Sequence, residues 1–315
     1  MKSGNSKTLK LFEDNKKIFR KTFHINRKFN FYQELILIKY LHKFGIKFIP
    51  KLINYDLEKN YLFYEYIDSI EIPLYQKAAL YEDTLKTIIN KFITQNIPIT
   101  FLAKESLIDT HKTYEEFNFR LKKHMDNNLP NIDYFNQIKK IHKALVFLKN
   151  DFLNLEHSSN LIFSHADAGI HNCIHGKKNK LYLVDFEYAG LDSPVKLHID
   201  YLIHPRNVMY TDKSFKWTEF FYKYLISEED LKNIHIYNSF FSLKWSLIVL
   251  NEYLSENWKY RINADPSRKF RDDIIRENQL KKSKLYLKAC YRTYEKIKPQ
   301  LLFTESERIL LSKSY

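Results

Sequence analysis

The sequence predicts an α+β protein in two lobes, a small β-rich one over residues 1–68 and a large helical one over residues 69–315. Three observations carry this. Short runs of strand-forming residues surround one helix in the first seventy positions. Long apolar periodicities of three and four residues take over after Ile67, and one further hairpin interrupts them near residue 175.

Taken in order, Leu9-Lys10-Leu11-Phe12 and Ile18-Phe19-Arg20-Lys21 read as the arms of a hairpin. The connection, Glu13-Asp14-Asn15-Lys16, carries the Asp and Asn that favour tight turns. A helix is expected over residues 31–44, with Gly45 where a left-handed C-cap belongs. Tyr61-Leu62-Phe63-Tyr64-Glu65-Tyr66-Ile67 is aromatic enough for a strand. Phe135, Ile138, Ile141, Leu145, Leu148, Phe152 and Leu155 then mark one face of a long helix. It leads into Leu161-Ile162-Phe163-Ser164 and a hairpin with arms Cys173-Ile174-His175 and Leu181-Tyr182-Leu183-Val184. Beyond Asp192 the pattern is helical again, including one stretch over residues 230–258.

Composition narrows the function classes. The chain has 315 residues, 44% apolar and 28% charged, which excludes a disordered chain, a collagen-like repeat and a disulfide scaffold. Cys173 and Cys290 stand far apart and match no metal or redox spacing, so a reducing compartment is expected. The first residues lack the apolar core of a signal peptide, and no apolar run approaches the length of a membrane helix. A soluble, cytoplasmic protein is the expectation. The net charge of +14 invites a nucleic-acid or membrane-surface reading. Its lysines are strewn along the chain, however, without a basic block or a basic–aromatic motif, so neither nucleic acid nor membrane is expected as a partner.

Three of the five glycines, Gly169, Gly176 and Gly190, fall around the second hairpin, and the chemistry-bearing residues cluster there too. Ser164-His165-Ala166-Asp167-Ala168-Gly169-Ile170-His171-Asn172 is followed by Leu183-Val184-Asp185-Phe186-Glu187. The form is H-x-D-x-x-x-x-N, a hairpin, then D-F. Phosphoryl transfer needs a carboxylate to take the proton of the attacking hydroxyl, and an amide with a second carboxylate to hold Mg²⁺. Asp167 fits the first role, Asn172 and Asp185 the second, with His165 as a brace for the loop. Two rival readings are a metal cluster of His165, Asp167, His171 and His175, and a polar turn with no chemistry. The first leaves Asn172 and Asp185 unexplained.

The first lobe supplies an independent test. Kinase-type transfer uses a basic side chain on a strand, fixed by a helix glutamate. Arg20 and Lys21 both qualify, and only one of them can face the site because neighbours on a strand point to opposite sides. Glu34 shares a helix face with Phe31, Ile38 and Leu41, where a carboxylate is costly unless paired.

With these residues in view, the sequence resembles the aminoglycoside phosphotransferase and choline kinase-like family of small-molecule kinases. The resemblance runs from Gly4 to about Pro205. It rests on Gly4-Asn5-Ser6 as a nucleotide loop, Arg20 or Lys21, Glu34, the Phe63-Tyr64-Glu65-Tyr66-Ile67 hinge, and the two motifs above. It implies the two-lobed protein-kinase-like fold, with ATP and Mg²⁺ as cofactors. It further implies Asp167 as catalytic base, Asn172 and Asp185 as metal ligands, and the backbone of Glu65 to Ile67 against adenine. The expected reaction moves the γ-phosphate to a hydroxyl of a small molecule: an amino alcohol, a sugar or an aminoglycoside. The acceptor is expected in the helical lobe beside Asp167, where Glu187, Tyr188 and Asp192 could face it. Trp245, Glu252, Tyr253, Glu256 and Trp258 are read either as an aromatic, acidic wall or as ordinary core. Only three residues precede Gly4, which keeps a second reading open, a weak or inactive nucleotide-binding scaffold on the same fold.

Overall fold

A computed structural model describes residues 7–13, 16–127, 131–157, 160–177, 180–210, 214–296 and 302–313. The chain divides into two compact units, one of residues 1–104, 162–191 and 263–265, the other of residues 105–161, 192–262 and 266–315. The first unit therefore extends past the boundary expected at residue 68 and takes in the second hairpin.

The first unit is built on a four-stranded antiparallel sheet. β1 (Lys7–Glu13) and β2 (Lys16–Thr22) form the expected hairpin, with Leu9 opposite Arg20. After α1 (Lys28–Lys43) come β3 (Leu52–Asp56) and β4 (Tyr61–Glu65), and the strand order is β1-β2-β4-β3. β3 is an edge strand with an irregular register between Leu52 and Asn54, and Ile53 and Tyr55 are exposed on it. No alternating pattern announces such a strand. α1 buries Phe31, Leu35, Ile38 and Leu41 as a stripe, each worth about 1.5–3 kcal/mol of apolar transfer. It stops where Gly45 takes the left-handed conformation (φ 68°) and donates its N–H to the His42 carbonyl at 3.0 Å.

α2 (Leu74–Thr94) lays Ala78, Tyr81, Leu85, Ile88 and Phe92 against β5 (Ile162–Ser164) and its surroundings. Phe92 stacks on Phe163 with ring centres 4.7 Å apart. That packing joins the second hairpin, β6 (Cys173–Gly176) and β7 (Lys180–Leu183), to the first unit. β8 (Gly190–Asp192) pairs with β5. Leu191 also bonds to the backbone of Phe101 and Ala103. A Cβ at position 190 would lie 2.6 Å from the Ala103 nitrogen, so this close approach requires glycine.

The second unit is helical, and polar side chains at the helix starts explain several boundaries. α3 (Thr110–Met125) and α4 (Ile132–Leu153) begin at Asp109 and Asn131, which accept backbone N–H groups of Lys112 and Tyr134. α5 (Pro194–Ile203) begins at Ser193 with Pro194 in its first turn. The other helices are α6 (Phe215–Tyr224), α7 (Glu228–Lys232), α8 (Ile234–Ile248), α9 (Ser255–Ala264), α10 (Asp272–Tyr294) and α11 (Glu305–Ser312). α8 is buried nearly all round by α4, α5 and α10, with Phe152 stacked on Phe240 at 3.6 Å.

The stretch expected as one helix over residues 230–258 is broken. Asn233 separates α7 from α8, and a 3₁₀ turn, Val249–Tyr253, precedes α9. Glu252, Tyr253 and Trp258 are buried, Trp245 is half-buried and Glu256 is exposed. Tyr253 is buried and stacks on Tyr134 at 4.4 Å, while Glu252 pairs with Arg261 and Arg268. Trp245 donates its indole N–H to Asp200. Both cysteines are free and buried. Among the described residues, no helix is long and apolar enough to cross a membrane.

Candidate active site

The first unit gathers most of the expected residues. Lys21 sits near the end of β2 opposite Leu62, on the face that also carries Phe19 and Tyr64. Arg20 takes the other face, opposite Phe63, with its guanidinium 4.5 Å from the centre of the Tyr61 ring. Lys21 is therefore the member of the pair that meets the acidic groups, and Arg20 is not.

The Lys21 ammonium lies 2.6 Å from Glu34 Oε2, 2.5 Å from Asp185 Oδ1 and 3.5 Å from Glu187 Oε2. Glu34 is buried on the apolar face of α1, and its second oxygen accepts the Tyr64 hydroxyl at 2.8 Å. Burial alone would lower the Lys21 pKa, but Asp185, Glu34 and Glu187 outweigh it and hold the ammonium charged above its usual range. Burial pushes the Glu34 carboxyl up to about 7, with Lys21 opposing. Glu34 is thus paired, which answers the cost of placing a carboxylate among Phe31, Ile38 and Leu41.

The loop after β5 supplies Asp167. Its carbonyl accepts from the Gly169 N–H at 2.8 Å and from the Asn172 side-chain amide at 3.0 Å. The His165 ring nitrogens each lie 2.9 Å from a carbonyl oxygen, one of Asp167 and one of Val184. The Val184 N–H bonds back to the Asn172 carbonyl. These contacts stitch the loop to the strand end that carries Asp185, and they make His165 a brace. A histidine so engaged is no metal ligand, which removes the four-residue cluster of His165, Asp167, His171 and His175. Ala166 and Asp185 both have positive φ, 62° and 68°, a conformation costing about 1–3 kcal/mol each in a non-glycine residue. Asp167 stays one-third exposed, with Oδ2 3.7 Å from His171 Nε2.

Asn172 directs its NH₂ at the Asp167 carbonyl, leaving its oxygen as the atom able to ligate. Asp185 is 31% exposed. An amide oxygen and a carboxylate suit a hard cation such as Mg²⁺. Around Lys21, by contrast, the ammonium itself fills the centre of the Glu34, Asp185 and Glu187 group.

Other expectations are corrected or fall outside the site. Glu187 is buried, with one oxygen toward Lys21 and the other 2.9 Å from Arg27. The Tyr188 hydroxyl accepts from Arg27. Asp192 is fully buried in the second unit, where it accepts the N–H groups of Leu107 and Ser193 and pairs with Lys196 at 2.9 Å. It braces a chain turn and has no surface for a substrate. The Glu65 N–H and carboxylate both bond to the Lys51 backbone, and Lys10 lies over the Tyr66 ring. Ile67 packs against the position of Gly176. Gly4, Asn5 and Ser6 lie outside the described residues.

The sequence did not point to Arg27 or to the bond from Tyr64 to Glu34, nor to Asn30 and Gln33, whose side chains bond the carbonyls of Glu187 and Ala189. For Asn30 and Gln33 the signal was their spacing of three residues along α1 beside its apolar stripe.

No protein-family model and no curated protein matches the chain. Solved structures do. The choline kinase LicA of Streptococcus pneumoniae is 16% identical with a TM-score of 0.52, over 83% of this chain and 90% of that one. The gentamicin complex of APH(2")-IIa is 15% identical with a TM-score of 0.53, over 83% and 89%. The ethanolamine kinase of Plasmodium vivax is 13% identical with a TM-score of 0.53, over 84% and 79%. This likeness establishes the fold, and it is the kinase-like fold expected from the motifs.

Proposed function

We propose that this chain is an ATP- and Mg²⁺-dependent phosphotransferase acting on a hydroxyl of a small molecule, an amino alcohol, a sugar or an aminoglycoside. The observation that carries the reading is the buried Lys21 ammonium bonded to both Glu34 and Asp185, in the same unit as the braced Asp167–Asn172 loop. Solved neighbours of the fold support a nucleotide as ligand, one being LicA in complex with AMP and another a streptomycin–ATP complex of APH(2")-IIa.

In this reading Lys21, steadied by Glu34, meets the phosphates. Asn172 and Asp185 would hold Mg²⁺, which would supply positive charge against the phosphates. Asp167 orients the acceptor hydroxyl and takes its proton as the oxygen bonds to the γ-phosphorus and ADP departs. Positioning and charge neutralisation supply most of the rate.

The test is thermal shift with ATP and Mg²⁺, followed by a transfer screen over amino alcohols, sugars and aminoglycosides. Stabilisation and transfer by the native chain, with transfer lost in Asp167→Ala, support the proposal. Binding with no transfer to any acceptor favours the scaffold, and no binding removes both readings.

A further inference from the structure

The turn ahead of α1, Ile25–Arg27, delivers a guanidinium that the phosphotransferase reading does not use. Arg27 is nine-tenths buried, 2.9 Å from Glu187 Oε1 and bonded to the Tyr188 hydroxyl. The other Glu187 oxygen lies 3.5 Å from Lys21. One and two turns further on, Asn30 donates to the Glu187 carbonyl at 3.0 Å and Gln33 to that of Ala189 at 2.8 Å. The segment after Asp185 is thus pinned to α1 at side chain and backbone. The two carboxylates flanking Lys21 are also built alike. Each turns one oxygen to the ammonium and has the other engaged, Glu34 by Tyr64 and Glu187 by Arg27.

From this geometry we infer that Arg27 is a positioning residue, which acts through Glu187 to set Lys21 and Asp185 for the nucleotide. The inference rests on the phosphotransferase reading. Without Arg27, Glu34, Glu187 and the part-exposed Asp185 still gather on the Lys21 ammonium, with the guanidinium charge removed. Glu187 then turns fully onto the ammonium, cancels the charge Lys21 offers to phosphates, and carries the neighbouring Asp185 with it.

The test is calorimetric binding of MgATP to the full chain in a double-mutant cycle, with melting curves for every variant. Arg27→Gln is expected to weaken binding about 10- to 100-fold, the usual loss for a residue acting behind a ligand group. In a Glu187→Gln background the same change should add nothing, because the group it acts through is already neutral. Arg27→Lys should restore part of the affinity, and it carries the same cycle should Arg27→Gln not fold. Losses that multiply in the double variant would show Arg27 acting by its own charge and would overturn the inference. Unchanged binding in Arg27→Gln would do the same while leaving the phosphotransferase reading intact. A native chain that binds no MgATP overturns both.

Discussion

Lys21 Nζ and Asp185 Oδ1 stand 2.5 Å apart across 164 residues of sequence, joining the second strand to the end of the second hairpin. Glu34 shares the same ammonium from α1. Three segments thus meet on one charge, and the consequences for stability and activity can be separated.

Lys21→Met should destabilise the protein by about 3–5 kcal/mol, because it strands buried carboxylates without their cation. Lys21→Met combined with Glu34→Leu should recover part of that loss, since the most deeply buried carboxylate is gone as well. Chemical denaturation measures both. Losses that simply add would mean that the two residues are not coupled.

How far these contacts could be read beforehand differs from residue to residue. The H-x-D-x-x-x-x-N and D-F motifs single out Asp167, Asn172 and Asp185 as candidates because residue type and spacing are restricted together. Strand alternation reduces Arg20 and Lys21 to one facing residue, but only the pairing of Lys21 with Leu62 says which. Arg27 escaped because it lies in a short turn with no periodic pattern to place its side chain. The burial of Asp192 and Glu187 was not legible, for a shared reason. Their cations, Lys196 and Arg27, are found by tertiary packing or local turn geometry, and closeness to Asp185 in sequence does not imply exposure. The break at Asn233 was invisible because apolar residues continue on both sides of it.

His198 gives stability a pH dependence. Its ring is fully buried against Phe221 and Tyr222, neither ring nitrogen has a hydrogen-bond partner among the described residues, and burial pushes its pKa from 6.5 down to about 3. The unfolded chain takes up a proton near pH 6.5 while the folded chain refuses it. This contribution is therefore complete above pH 6.5 and is lost as pH falls toward 3, at about 1.4 kcal/mol per pH unit. Denaturation of His198→Phe should show a shallower acid loss than the native chain. Parallel curves would contradict a neutral buried His198.

Gly190→Ala should cost about 1–3 kcal/mol, since its Cβ would meet backbone atoms of Leu102 and Ala103 that cannot rotate away. Hydrogen exchange should show the Leu191 and Ala103 amides losing protection. A melting temperature equal to that of the native chain would mean that the segment yields without strain.

In the proposed reaction Asp167 acts on an acceptor hydroxyl while Lys21 and Asp185 manage the phosphates. This is tested most directly by following phosphate from labelled ATP into acceptor in the native chain and in Asp167→Ala. The expected result is labelled product from the native chain, and undiminished MgATP binding with at least about a hundredfold slower transfer in the variant. Equal transfer rates in the two proteins would contradict it.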